Sequence, residues 1–349
     1  MTAQALSSKI YKSLAELNCK INELSIPELF SKYEQYGFLY QEKKVLLQPF
    51  LETIEKNWAQ TAKADLMRVV TRSDEQTQSW ASFSSWRSCN SGYINQHLVF
   101  SENHDFIKSV LLGAHAKDLV GKDDYSSFQH FFVASHAWPN KVFGSLTGDL
   151  LENTFDLRWV NFIRINPELI KPSSFPVEIR SCSHKEHREL YHFVAQQRGE
   201  VFAKAEELHR SDLYLDKLDH LYQSVGLKMH RTIKIAYLPQ SREPIAVIIA
   251  YQGPLGLSFN FLENRCILIV DQSLSNNEKY GIACAMLKEI SSFYQDFAPG
   301  HIPLLVDDYC AQTLVLHGHP LDRRFKHLIC LRGGFDNWVQ HIERVFQRD

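Results

Sequence analysis

The chain has 349 residues, of which 44% are hydrophobic and 22% charged, and its formal net charge is −2. This is the composition of an ordinary globular protein and excludes disordered, collagen-like and rod-like classes. At about 150 residues per domain the length predicts two domains, and the near-neutral charge argues against nucleic acid or an anionic membrane as partner.

The seven cysteines are scattered, and no two of them form a CxxC pair. An odd number at such spacing is not a disulfide framework, and it predicts neither a zinc site nor a redox motif. Charges at Lys9, Lys12 and Glu16 interrupt the apolar residues of the N-terminus, unlike a signal peptide. No run reaches the roughly 18 apolar residues of a membrane span. We expect a cytoplasmic protein without a metal, and a homodimer stays open.

Helical patterns occupy the first 65 residues or so. Ser25 and Glu28 form a capping-box pattern, and the amphipathic stretch 41–63 contains Pro49, which should interrupt it. From residue 66 the hydrophobic period becomes that of strands. The predicted strands of this part are 66–71, 79–87, 92–100, 128–133 and 155–165, with helices over 104–119 and 137–146.

The loop 166–175 contains two prolines and two serines and is the predicted domain boundary. After it a similar order of elements begins again. We predict strands at 177–181, 232–238, 245–251, 266–270, 302–306 and 325–331, with helices at 184–209, 212–225, 279–296, 311–317 and 335–347. The domains are therefore predicted as 1–170, with the N-terminal helices, and 171–349.

The two halves can be aligned with each other. Strand 97–100 matches 267–270, strand 131–133 matches 304–306, and strand 162–165 matches 328–331, at offsets of 170, 173 and 166 positions. These similar offsets favour an internal duplication of a unit near 170 residues. The alternative is that any two α/β units look alike at this level of detail.

The stretch 266–287 reads CILIVDQSLSNNEKYGIACAML, an apolar strand followed by a helix containing Gly281 and Ala283. With the element order of 177–331, it resembles the GNAT superfamily of N-acetyltransferases, and 28–165 is similar to a divergent second copy. The resemblance implies a fold of two mixed β-sheet domains flanked by helices, in tandem. It also implies that amides at the start of this helix hold the pyrophosphate of acetyl-CoA or another acyl-CoA. The implied cofactor-binding residues are Val270, Lys279, Tyr280, Gly281, Ile282 and Ala283.

The motif is imperfect, because Glu278 and Lys279 stand where the family usually carries Arg or Gln and a first Gly. A carboxylate there stabilises an empty helix N-terminus but repels pyrophosphate. An acid-capped structural helix therefore remains the alternative. In the first half the corresponding stretch 103–108 has no glycine, and no cofactor is expected there.

The family usually uses a Tyr after the fifth strand as general acid. Val315 occupies that position here, and Phe143 does so in the first half, so neither can transfer a proton. The nearest titratable groups are Tyr309 and His317, and Asp271 is the candidate general base, with a loop aspartate as the alternative.

Two hypotheses follow from this resemblance. The first is an N-acyltransferase that moves an acyl group from acyl-CoA to the amine of a small molecule or protein. The second is a non-catalytic descendant of the fold that senses a ligand or binds another protein.

Overall fold

The computed structural model describes residues 11–120, 127–146 and 153–347, so the first ten residues of the predicted N-terminal helical segment lie outside it. The described residues form a mixed sheet of twelve strands flanked by helices. The strands are β1 (Lys20–Ile21), β2 (Met67–Asp74), β3 (Ser79–Arg87), β4 (Gly92–Phe100), β5 (Ser127–Phe132), β6 (Phe155–Ile165), β7 (Glu178–Ser181), β8 (His230–Tyr237), β9 (Pro244–Gln252), β10 (Cys266–Val270), β11 (Ile302–Val306) and β12 (Arg323–Leu331).

Helices connect these strands and cover the sheet. They are α1 (Ile26–Gln35), α2 (Gln41–Leu47), α3 (Leu51–Lys63), α4 (His104–Gly113), α5 (Lys117–Val120), α6 (Ala137–Val142), α7 (His187–Arg198), α8 (Glu200–Ala205), α9 (Asp216–Gln223), α10 (Asn276–Ile290), α11 (Asp308–Leu316) and α12 (Phe335–Val345). None of the described helices is long and apolar enough to cross a membrane.

Counted inward from either edge, the strands of the two halves follow in the same order. The full order is β1-β2-β3-β4-β5-β12-β6-β11-β10-β9-β8-β7, so the strands at mirrored positions are always six apart in the chain. Within this order, β4 pairs with β5 and β10 pairs with β11 in parallel. Strands 131–133 and 304–306 therefore take equivalent places, as the offsets predict.

The two halves do not form separate sheets. The last strand of each half pairs with the fifth strand of the other, β12 with β5 and β6 with β11, and β6 and β12 pair with each other at the centre. The mixed α/β class is confirmed, while the two expected sheets are joined into one by this exchange. The predicted boundary near residue 170 stays a prediction, because β12 of the second half lies between β5 and β6 of the first.

Local chemistry explains how the helices begin. Ser25 Oγ accepts a hydrogen bond from the Glu28 amide, and Glu28 accepts one from the Ser25 amide, which confirms the predicted capping box. Pro49 lacks an amide hydrogen, and a 3₁₀ turn over Gln48–Phe50 separates α2 from α3, as predicted. The helix predicted from 279 begins three residues earlier, at Asn276.

Two apolar clusters form the core. The larger one packs α1, α3 and α7–α11 against the sheet, and the smaller one gathers around α4, α6 and α12. All seven cysteines are buried and free, so no disulfide contributes to stability.

Candidate functional site

Each half contains a gap where its two parallel strands separate. In the first half, β4 and β5 pair as far as Asn95 and His130, although both strands continue further. In the second half, β10 and β11 pair as far as Ile267 and Leu305. We call these places the first gap and the second gap. The residues at the last paired position are polar in the first gap and apolar in the second.

The helix that follows the second gap is closed at its N-terminus. Ser275 Oγ accepts a hydrogen bond from the Glu278 amide, and the Glu278 carboxylate accepts one from the Ser275 amide at 2.8 Å. A pyrophosphate at this terminus would meet a carboxylate that already occupies part of it.

Gly281 lies more than one turn inside α10, where its amide belongs to the helix interior. A Cβ on this residue would come within 2.7 Å of Phe175 Cβ and 3.3 Å of Ser173 Oγ. Glycine is thus needed because the segment linking the halves crosses the helix here. Ile282 and Ala283 are fully buried in the core.

Several predicted residues of the second half lie together between α10 and α11. The rings of Tyr280 and His317 stack with centroids 3.5 Å apart, and Lys279 Nζ lies 5.5 Å from the centre of the Tyr309 ring. Lys279 also donates to the Gln272 carbonyl oxygen at 2.9 Å. These contacts join the two helices.

Val270 is the last residue of β10, and Asp271 directly follows it. Asp271 Oδ1 accepts a hydrogen bond from the Ser273 amide at 2.9 Å, which is the arrangement of a turn-forming aspartate. Val270 is buried. The catalytic roles of Asp271, Tyr309 and His317, and the cofactor roles of Val270 and 279–283, stay predictions.

The first gap opens into a cleft of about 130 Å³. Its walls come from β4, β5, α2, α6, β12 and the loop that precedes β10, so both halves contribute. The residues that line it are Phe38, Lys43, Ile94, Asn95, Gln96, His97, Leu98, His130, Phe131, Phe132, Val133, His136, Pro139, Ser258, Asn260, Leu262, Arg323 and Phe325. We call it the first-gap cleft.

A bulge in β4 shapes this cleft. The register between β3 and β4 shifts beside His97, whose φ is +51°, and no such shift interrupts β9 and β10. His97 stacks on Phe259 with ring centroids 4.3 Å apart. Its Nε2 accepts from the Phe259 amide at 3.5 Å, and Nδ1 lies 3.2 Å from Ser84 Oγ. Burial holds the pKa of His97 well below its usual value, so His97 is a neutral residue that fixes the loop of the other half.

His130 is the second histidine of the cleft, and its tautomer follows from one contact. Nδ1 lies 2.7 Å from the Asn95 carbonyl oxygen, which can only accept, so Nδ1 carries the proton and Nε2 bears a lone pair. Burial lowers the pKa of His130 to about 4, although the hydrogen bond to Asn95 opposes this shift. At neutral pH His130 is therefore a hydrogen-bond acceptor at Nε2.

Two buried side-chain amides of the cleft have atoms without a hydrogen-bond partner among the described residues. Asn95 is 1% exposed, and neither atom of its amide makes a hydrogen bond there. Gln96 is 8% exposed; its Nε2 donates to the Leu257 carbonyl oxygen, but its Oε1 has no partner. Buried polar atoms are normally satisfied, so such atoms point to a ligand or ordered water.

Sequence reasoning missed the first-gap cleft. The local signal was the polar run Asn95, Gln96 and His97 inside β4, whereas the matching strand β10 is apolar throughout. Lys43 and Arg323 could not be associated with it, because they come from distant parts of the chain. No group of three or more His, Cys, Asp and Glu in the described ranges could hold a metal ion.

No family model and no curated protein sequence matches the chain. Among solved structures it is similar to a tandem GNAT protein from the clavulanic acid biosynthesis pathway, at 8% identity and a TM-score of 0.42, over 90% of this chain and 98% of that one. A putative acetyltransferase from Pyrococcus horikoshii covers 90% of this chain and 89% of its own, at 8% identity and a TM-score of 0.40. A Drosophila protein covers 91% and 99%, at 14% identity and a TM-score of 0.42.

One of these structural neighbours is thus a tandem GNAT protein, and another is a putative acetyltransferase. At these identities and TM-scores the likeness says nothing about the reaction or the substrate.

Proposed function

We propose that the protein transfers an acyl group from an acyl-CoA thioester to an amine, and that the reaction takes place in the first-gap cleft. The observation that supports this most is His130, which lies where β4 and β5 part and has its Nε2 lone pair free of any described donor. The second gap has Leu305 at the corresponding position.

In this reaction the amine nitrogen bonds to the thioester carbonyl carbon while the carbon–sulfur bond breaks. The nitrogen loses a proton, and the departing thiolate gains one. With a pKa of about 4, His130 is too weak a base to deprotonate an ammonium ion at neutral pH. It instead orients a neutral amine by accepting its N–H, so the rate should rise with pH until the acceptor is deprotonated.

A second candidate, a ligand-binding protein without turnover, is favoured by the helix termini. Besides the Ser275 cap on α10, Asn103 Oδ1 at the start of α4 accepts from the amides of Asp105 and Phe106, at 3.1 and 3.4 Å. Neither helix that follows a gap thus presents a free first turn to a pyrophosphate. Under this candidate the cleft binds its ligand and nothing is transferred.

The test is release of free CoA thiol from acetyl-CoA with a panel of primary amines. We expect turnover by the wild type that falls at least tenfold in His130→Asn, and little change in Asp271→Asn, Tyr309→Phe and His317→Asn. If one of the last three variants loses activity while His130→Asn stays active, the reaction takes place at the second gap. Absence of turnover throughout, with a ligand bound in the cleft, would establish the second candidate.

A further inference from the structure

The charged side chains described in the first-gap cleft are all basic. Lys43 from α2 and Arg323 from β12 both line it, together with His97, His130 and His136. Among the described residues that line the cleft, none is an Asp or a Glu. The cleft is therefore formally cationic, although the chain as a whole carries a net charge of −2.

The two cations have no carboxylate partner among the described residues. Lys43 Nζ lies 3.9 Å from the centre of the Phe38 ring, and burial, together with the nearby Arg323 guanidinium, lowers the pKa of Lys43 to about 8. Arg323 Nη1 donates to the neutral Asn260 Oδ1 at 3.0 Å. By contrast, their sequence neighbours are paired, Lys44 with Glu34 and Arg324 with Asp308.

Unpaired cations that are partly withdrawn from water favour an anion beside them, because the anion replaces lost solvation. The unsatisfied amide atoms of Asn95 and the unsatisfied Oε1 of Gln96 are a second, independent sign, since both residues line the same cleft. The cleft is open to solvent, so its volume sets the size of the part of a ligand that lies inside it. An engineered cavity of about 150 Å³ holds benzene, so the cleft of about 130 Å³ encloses roughly six heavy atoms of a ligand.

We propose that the first-gap cleft binds a small organic carboxylate of about the size of an amino acid. Lys43 and Arg323 bind the carboxylate, and the amides of Asn95 and Gln96 bind the polar remainder. As far as it concerns the acceptor, this inference rests on the proposed function: the carboxylate then belongs to the amine that receives the acyl group.

The experiment is calorimetric titration of the full chain with acetate, L-alanine and L-aspartate, with L-alaninamide and inorganic phosphate alongside. We expect at least one carboxylate to bind, and Arg323→Gln and Lys43→Gln each to weaken it at least tenfold. Lys43→Arg should keep most of the affinity, which separates loss of charge from loss of fold. Lys44→Gln and Arg324→Gln are the matched controls and should leave the affinity unchanged.

The proposal is wrong if no carboxylate binds, if L-alaninamide binds as well as L-alanine, or if the control variants weaken binding as much as the cleft variants do. The proposal is also wrong if phosphate binds more tightly than every carboxylate and its binding depends on Lys43 and Arg323. The cleft would then be a site for a phosphate group.

The thiol-release assay separates this inference from the proposed function. Carboxylate binding without turnover of any amine supports this inference and contradicts the proposed acyltransferase activity. Turnover that is equally fast with amines lacking a carboxylate supports the proposed acyltransferase activity and contradicts this inference.

Discussion

The first and second gaps have the same topology and opposite chemistry. Where β4 carries Asn95, Gln96 and His97, β10 carries the apolar residues Ile267, Leu268 and Ile269. A bulge distorts β4, while β10 pairs regularly with β9. The comparison teaches that the strand order creates a gap in each half, and that the side chains together with the bulge in β4 decide whether the gap becomes a polar cleft or a packed core.

The largest expected effect comes from the residue that joins the two gaps. Glu206 accepts hydrogen bonds from Gln129 on β5 at 2.9 Å and from Arg265, just before β10, at 3.1 Å, and both ions of this pair are fully buried. Glu206→Ala leaves Arg265 as an unpaired buried charge, so we expect the free energy of unfolding to fall by about 3–5 kcal/mol in urea denaturation. Glu200→Ala, which removes an exposed pair with Lys204, is the control. If Glu206→Ala lowers the free energy of unfolding no more than Glu200→Ala does, the buried Glu206–Arg265 pair does not stabilise the fold.

The next effect is on pH dependence. The folded pKa of His130, about 4, lies below the ordinary value of 6.5, so the unfolded chain binds this proton first as the pH falls. Stability is thus fully present above pH 6.5 and is lost toward pH 4, by about 2 kcal/mol at pH 5 for this histidine. We expect His130→Gln to reduce the fall in unfolding free energy between pH 7 and pH 5. An unchanged slope would mean that the imidazole is not held neutral.

A smaller effect tests why Gly281 is a glycine. Alanine gains about 1 kcal/mol of helix propensity, but its Cβ would meet Phe175 Cβ at 2.7 Å, and such overpacking costs about 1–3 kcal/mol. We expect Gly281→Ala to lower the free energy of unfolding by about 1 kcal/mol net. In a protein that already carries Phe175→Gly, adding Gly281→Ala should leave the free energy of unfolding unchanged or raise it. If Gly281→Ala alone stabilises the protein, packing does not explain the glycine.

The smallest expected effect is that of Glu278→Gln on acetyl-CoA affinity. If acyl-CoA binds at the first gap, removing a charge from the cap of α10 leaves its dissociation constant within about twofold. Calorimetry with acetyl-CoA measures this. A gain of fivefold or more would mean that Glu278 had been repelling pyrophosphate at the second gap.

Elements were easier to predict than their assembly. Strands β3, β4, β6, β10 and β11 have the predicted bounds, because each is a continuous or alternating apolar run between turn residues. The start of α10 was missed although Ser275 and Glu278 show the same capping pattern as Ser25 and Glu28. The exchange of β6 and β12 leaves no local pattern, since pairing partners 137 or more residues apart are chosen by tertiary packing.

The same limit applies to the site. The motif at Gly281 was read from local sequence, and the structure gives that glycine a packing contact with Phe175. Lys43 and Arg323 are separated by most of the chain, and only the fold brings them to one cleft. A site assembled from several distant segments has no spacing that a sequence pattern can show.

The location of the acyl group tests the central claim most directly. A crystal structure of the protein with acetyl-CoA would show the thioester carbon. We expect it in the first-gap cleft, beside His130 and Asn95. A thioester beside Lys279 and Tyr280, with the first-gap cleft unchanged, would contradict the assignment of the reaction to the first half.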